Sequence, residues 1–248
     1  LDPNLQTLNQ QYKIFAKAFY SIEREVLSQD YMPELIEGNP EQSLGYLFLQ
    51  PKNKNFIKTT RRHKVKLAAS KSALPYNCWP VKNSRGIILL LPGLGGHRNS
   101  TGVLALAELF NSAGWSVLAL SSSLNPDYFA NLPVNHAPGF FREDSKIQAI
   151  ALKAAVEDME KNYKLRNQER NVVGFSLGAI NSLFLAALDE NEKAGLNINK
   201  YMAINPPVDL MYALEQIDVF FTIPLTWQED EREARTKELF FKTFALPT

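Results

Sequence analysis

The chain has 248 residues, 45% of them hydrophobic, with 27 basic side chains against 26 acidic ones and a formal net charge of +1. That size and apolar content suit an α/β body with a full core, and so even a balance gives no electrostatic reason to expect a nucleic-acid partner. The single cysteine, Cys78, excludes an internal disulfide, and no run of 18 apolar residues is present to span a membrane.

In chain order, Leu5, Leu8, Tyr12, Phe15, Phe19, Ile22 and Val26 recur at helical spacing. They predict an amphipathic helix of about six turns, with few basic residues to hold it at a membrane surface. Asp30 to Gln42 is a connection punctuated by Pro and Gly, so residues 1–51 read as a helical extension and 52–248 as the main domain. The start at Leu1 rather than Met suggests a processed N-terminus, with a signal peptide and export as one candidate. Arg61-Arg62-His63-Lys64 reads as a solvated strand entry.

Lys64–Ala68 and Tyr76–Val81 are the first two predicted strands, the second placed at an edge where Pro80 is tolerated. Arg85 to Leu91 is an unbroken apolar strand of the kind buried on both faces of a parallel sheet. It runs straight into Pro92-Gly93-Leu94-Gly95-Gly96-His97, a loop whose glycines let backbone approach a ligand. Asn99 or Ser100 caps the next helix, which buries Val103, Leu104, Ala107 and Phe110 before Gly114 stops it.

Trp115–Leu120 is the fourth strand, followed by a Pro/Asn-rich loop from Asn125 to Gly139 and a helix from about Arg142 to Tyr163. Asn171-Val172-Val173 ends a fifth, and Ala179 to about Gly195 is helical. Tyr201–Ile204 is the sixth. Asp209 follows as the cap of a helix opening at Leu210, an assignment favoured over a role as a catalytic acid. Ile217 to Trp227 is dense in large apolar side chains and either covers the site as part of a cap region, 210–248, or fills the core. Strands alternating with helices imply a mostly parallel sheet with ligands at its C-terminal edge.

Gly174-Phe175-Ser176-Leu177-Gly178 lies between the fifth strand and its helix. A Gly-x-Ser-x-Gly sequence at a strand-to-helix turn is a nucleophile-elbow pattern, in which the serine hydroxyl is thrust off the sheet. Strand and helix backbones close tightly there, so Gly174 and Gly178 must lack side chains. The Leu177 N–H, at the helix start, faces the place where an oxyanion forms.

The elbow and the glycine loop together resemble the α/β-hydrolase superfamily, and most closely its YheT-like branch. The resemblance covers roughly residues 60–215 and implies a mostly parallel sheet with helices on both faces. It further implies a serine hydrolase, esterase or peptidase, with Ser176 as nucleophile and Leu94 and Leu177 as the two oxyanion amides. The substrate it implies is a small-molecule or peptide acyl compound. Pro92 stands where many members carry histidine, a departure that touches loop shape more than chemistry. No metal-ligand spacing or dinucleotide fingerprint is present, so neither metal nor cofactor is expected.

One feature resists that pattern. The family's acid and histidine follow the serine, yet His63, His97 and His136 all precede Ser176. Three explanations are open. Only six of the family's eight strands can be placed, so the acid and histidine belong after Thr248; or His97 or His136 has been recruited; or catalysis is lost and the fold serves as a silent binding module.

Overall fold

A computed structural model describes residues 49–244, apart from 69, 71, 133–135, 137, 166–167 and 193–194. The predicted N-terminal helix lies outside the described residues. Six strands form one sheet: β1 (Arg61–Lys66), β2 (Ala73–Trp79), β3 (Ile87–Leu91), β4 (Ser116–Ala119), β5 (Arg170–Phe175) and β6 (Lys200–Ile204). Among the described residues six α-helices accompany them: α1 (Thr101–Ser112), the short α2 (Pro126–Phe129), α3 (Phe141–Tyr163), α4 (Leu177–Glu192), α5 (Leu210–Thr222) and α6 (Glu229–Phe244).

The order across the sheet is β1-β2-β4-β3-β5-β6. β2 runs antiparallel to both neighbours, and β3, β4, β5 and β6 run parallel. This order, with the strand-turn-helix at Ser176, is that of the α/β-hydrolase fold. The chain leaves β3 for β4 on one side and later returns to β5 on the other, so β3 lies at the point where the winding reverses. In folds of this kind ligands bind beyond the C-terminal ends of the strands that flank such a reversal, here β3 and β5.

β3 is Ile-Ile-Leu-Leu-Leu because both its faces are covered. Ile87, Leu89 and Leu91 join Leu118, Leu152, Val156, Met159 and Leu185 on the α3–α4 side. Ile88 and Leu90 join Trp79, Val103, Leu104, Ala107 and Val117 on the α1 side. With five consecutive residues essentially out of water, β3 is a rigid base for the loop at its end.

Two expectations are corrected. β2 is not an edge strand: β1 covers one side and β4 the other, and Pro80 lies just past its end. β2 also begins earlier than expected, at Ala73, because the pairing partners offered by β1 continue to Lys66. In the apolar stretch Ile217, Val219, Ile223 and Leu225 are exposed rather than filling the core, as are Met211 and Tyr212 before it. Asp209 caps α5 as expected, its carboxylate accepting the Tyr212 N–H at 2.9 Å.

Candidate active site

The β5–α4 junction is a sharp bend at Ser176. Its φ is +53°, the left-handed region that side chains other than glycine enter at a cost of about 1–2 kcal/mol. The bend persists because its backbone is held from three sides. Ser176 N–H donates to Ile204 O on β6 at 2.9 Å, and Ser176 O accepts from Ala179 N at 2.9 Å and Ile180 N at 3.2 Å. Ser176→Gly removes the strain but frees the unfolded chain, and should raise the unfolding free energy by about 0.5–1 kcal/mol. A denaturant melt that shows a loss instead contradicts the strain assignment.

The flanking glycines are required by contact rather than by φ. A Cβ on Gly174 would overlap Gly178 O and lie 2.7 Å from Ala179 N. One on Gly178 would overlap Leu91 O and lie 2.6 Å from Pro92 O. The first turn of α4 therefore rests directly on the end of β3, which brings Ser176 beside the glycine loop.

That loop makes a turn from Gly93 to Gly96, closed by Gly96 N–H donating to Gly93 O at 3.0 Å, with Gly95 at φ +64°. A Cβ on Gly93 would stand 3.1 Å from that of Ser176. Leu94 forms the crest, 52% exposed. Among the described residues neither the Leu94 N–H nor the Leu177 N–H has a hydrogen-bond partner. The Ser176 hydroxyl has none either. The Leu177 N–H follows Ser176 at the N-terminus of α4, and the Gly93 end of the loop packs against the Ser176 Cβ.

The outer half of the loop is tied to the segment leaving β4. Asp127 Oδ2 accepts from Arg98 Nη1 and, at 2.7 Å, from Ser121 Oγ, and His97 Nε2 lies 3.6 Å away. Burial pushes the Asp127 carboxyl up, but the hydrogen bonds from Arg98 and Ser121 outweigh it and hold the group below the usual carboxylate range. Arg98 Nε donates to the fully buried Asn77 at 3.1 Å. This network was not foreseen in the sequence. Its only local signal is Asn125-Pro126-Asp127, where Asn125 Oδ1 accepts the Asp127 N–H at 2.9 Å and opens α2.

Neither histidine considered for recruitment hydrogen-bonds the Ser176 hydroxyl among the described residues. His97 Nδ1 accepts the Asn99 N–H at 3.0 Å, and its Nε2 lies 3.3 Å from Arg98 Nη1 and 3.6 Å from Asp127. His136 Nε2 sits 2.7 Å from Asp144, a buried carboxylate that also accepts the Gly139 N–H at 2.8 Å. Burial dominates at Asp144 and pushes its carboxyl up. His63 is on β1, against Tyr163 at 2.8 Å. Cys78 is no rival nucleophile, since it is buried and its thiol is pushed up to about 12 by burial. No group of residues suited to a metal ion occurs among the described residues, and no described helix is long and apolar enough to cross a membrane.

No protein-family model matches the chain, and no curated protein sequence does. Among solved structures it is similar to an esterase from Pyrococcus furiosus, 20% identical over 65% of this chain and 58% of that one, with a TM-score of 0.42. It is similar to a thermostable carboxyl esterase from Bacillus coagulans at 16% identity over 58% and 43%, TM-score 0.39. A third is Est1E from Butyrivibrio proteoclasticus, at 15% identity over 61% and 54%, TM-score 0.43. The chain spans about half the length of these structures. The protein has the α/β-hydrolase fold, and its own strand order is what defines it.

Proposed function

We propose that the protein is a serine hydrolase that cleaves a carboxylic ester through an acyl-enzyme on Ser176. The observation that carries this reading is a non-glycine residue at φ +53° between β5 and α4, bearing a hydroxyl beside two unpartnered amides. A strained, otherwise purposeless conformation at a reactive side chain is the mark of a site built for chemistry. Ser176 Oγ forms a bond to the carbonyl carbon and gives its proton to a base, while the carbonyl electron pair moves to oxygen. The N–H groups of Leu94 and Leu177 hold that oxygen. Collapse expels the alcohol, which takes the proton from the base, and water then releases the acid by the same steps. An alcohol leaves more readily than an amine, so an ester is favoured over a peptide bond.

In this reading a histidine serves as the base, although none of His63, His97 and His136 hydrogen-bonds Ser176 Oγ among the described residues. The lack of a paired base there favours a second reading, a binding module in which the serine turn is retained without chemistry. A fluorophosphonate probe separates the two. The full-length protein should gain the phosphonyl mass on the peptide that carries Ser176, and a folded protein that stays unlabelled excludes the enzyme.

A further inference from the structure

The geometry points to Asp127 as the positioning residue of the oxyanion cradle, a carboxylate that holds the Gly93–Gly96 turn so that the Leu94 N–H stays aimed beside Ser176. The inference rests on the serine-hydrolase reading and adds a residue to it. The turn has little to hold it from its own side chains. Gly95 has open space where a Cβ would be, and the Leu94 side chain is 52% exposed. Its inner end is fixed by the buried Leu91 and Pro92 at the end of β3. Its outer end is fixed by polar tethers to the segment Ser121–Asp127 and, at Arg98 and Asn99, to the buried Asn77 on β2.

Those tethers converge. Ser122 N–H donates to Gly96 O at 2.8 Å, and Asn125 Nδ2 donates to Gly95 O at 2.6 Å. Arg98 N–H donates to Ser121 Oγ at 3.0 Å, and that hydroxyl donates in turn to Asp127 Oδ2 at 2.7 Å. The Arg98 guanidinium closes the ring on the same oxygen, with His97 alongside. Arg98, His97 and Ser121 all meet at one carboxylate oxygen, so Asp127 is the group whose removal loosens both sides of the connection. An amide can accept at one position but carries no charge for Arg98 or His97, so Asp127→Asn should loosen the turn as Asp127→Ala does, to a smaller extent.

A purely structural tie would change stability and leave the chemical step alone. A positioning role changes kcat instead, because a donor displaced by a fraction of an ångström stabilises the transition state less while ground-state binding is kept. The test uses the full-length protein as wild type, Asp127→Asn and Asp127→Ala. It combines steady-state hydrolysis of p-nitrophenyl butyrate with amide hydrogen exchange resolved for the peptides covering 92–99 and 174–180. The expected result for Asp127→Ala is a kcat lower by about 100-fold with KM within about twofold, and faster exchange in 92–99 only. Asp127→Asn should fall between it and wild type on both readouts.

Unchanged exchange in 92–99 overturns the clamp, whatever the activity. Faster exchange with kcat within about threefold of wild type overturns the positioning role. Exchange rising equally in 92–99 and 174–180 shows general destabilisation and also overturns it. A wild type that hydrolyses no ester and takes no phosphonate sinks the serine-hydrolase reading and this role with it, and is told apart from failure of the clamp by the exchange data alone.

Discussion

Replacing Ser176 by alanine is expected to lower kcat for p-nitrophenyl butyrate by about 10⁴- to 10⁶-fold while the protein keeps its fold. The loss is large because the covalent route disappears with the hydroxyl, and what remains is whatever the Leu94 and Leu177 amides lend to attack by water. The fold survives because Ser176 Oγ makes no hydrogen bond among the described residues, so deleting it leaves no buried partner unpaired. Alanine also accepts φ +53° about as poorly as serine does, so strain is unchanged. The unfolding midpoint should therefore stay close to that of wild type. A variant that turns over ester at the wild-type rate removes Ser176 from the chemistry.

Gly178→Ala has the second large effect, on structure first and activity as a consequence. Its Cβ would overlap Leu91 O and sit 2.6 Å from Pro92 O, both backbone atoms at the end of the buried β3. Flexible side chains can swing aside, whereas these carbonyls belong to the sheet, so α4 must lift off β3. We expect a loss of about 3 kcal/mol or more, which for a domain of this size lowers the midpoint by about 6–12 °C. Gly174→Ala should behave alike, since its Cβ would overlap Gly178 O. Gly95→Ala is the contrast: its Cβ meets nothing within 4 Å, and only φ +64° opposes it, worth about 1 kcal/mol. Thermal melts of these variants check the ordering, and a Gly178→Ala protein as stable as Gly95→Ala contradicts the close approach of α4 to β3.

These contrasts mark which features were legible in the chain. Val172-Val173-Gly174-Phe175-Ser176-Leu177-Gly178 announces strand, bend and helix within seven residues, because each requirement is local: apolar residues for a buried strand, and small residues where two backbones meet. The run Ile87 to Leu91 and the cap at Asp209 were readable for the same reason. The place of β2 was not, since an edge and an interior strand differ only in how many neighbours they gain. Nor was the exposure of Met211, Tyr212 and Val219, because apolar residues at helical spacing look the same whether or not another element covers them.

By itself the sequence determined the α/β alternation, the two-faced burial of β3 and the strained serine between glycines, all set by backbone sterics and by the removal of apolar groups from water over short stretches. Only the tertiary structure decided that the loop after β3 packs against Ser176, and that Arg98 meets an aspartate 29 residues further on. Hydrogen bonds and charge pairs act over a few ångströms and leave no period in the chain. Which groups they join is settled when the sheet brings the ends of β3, β4 and β5 to one edge.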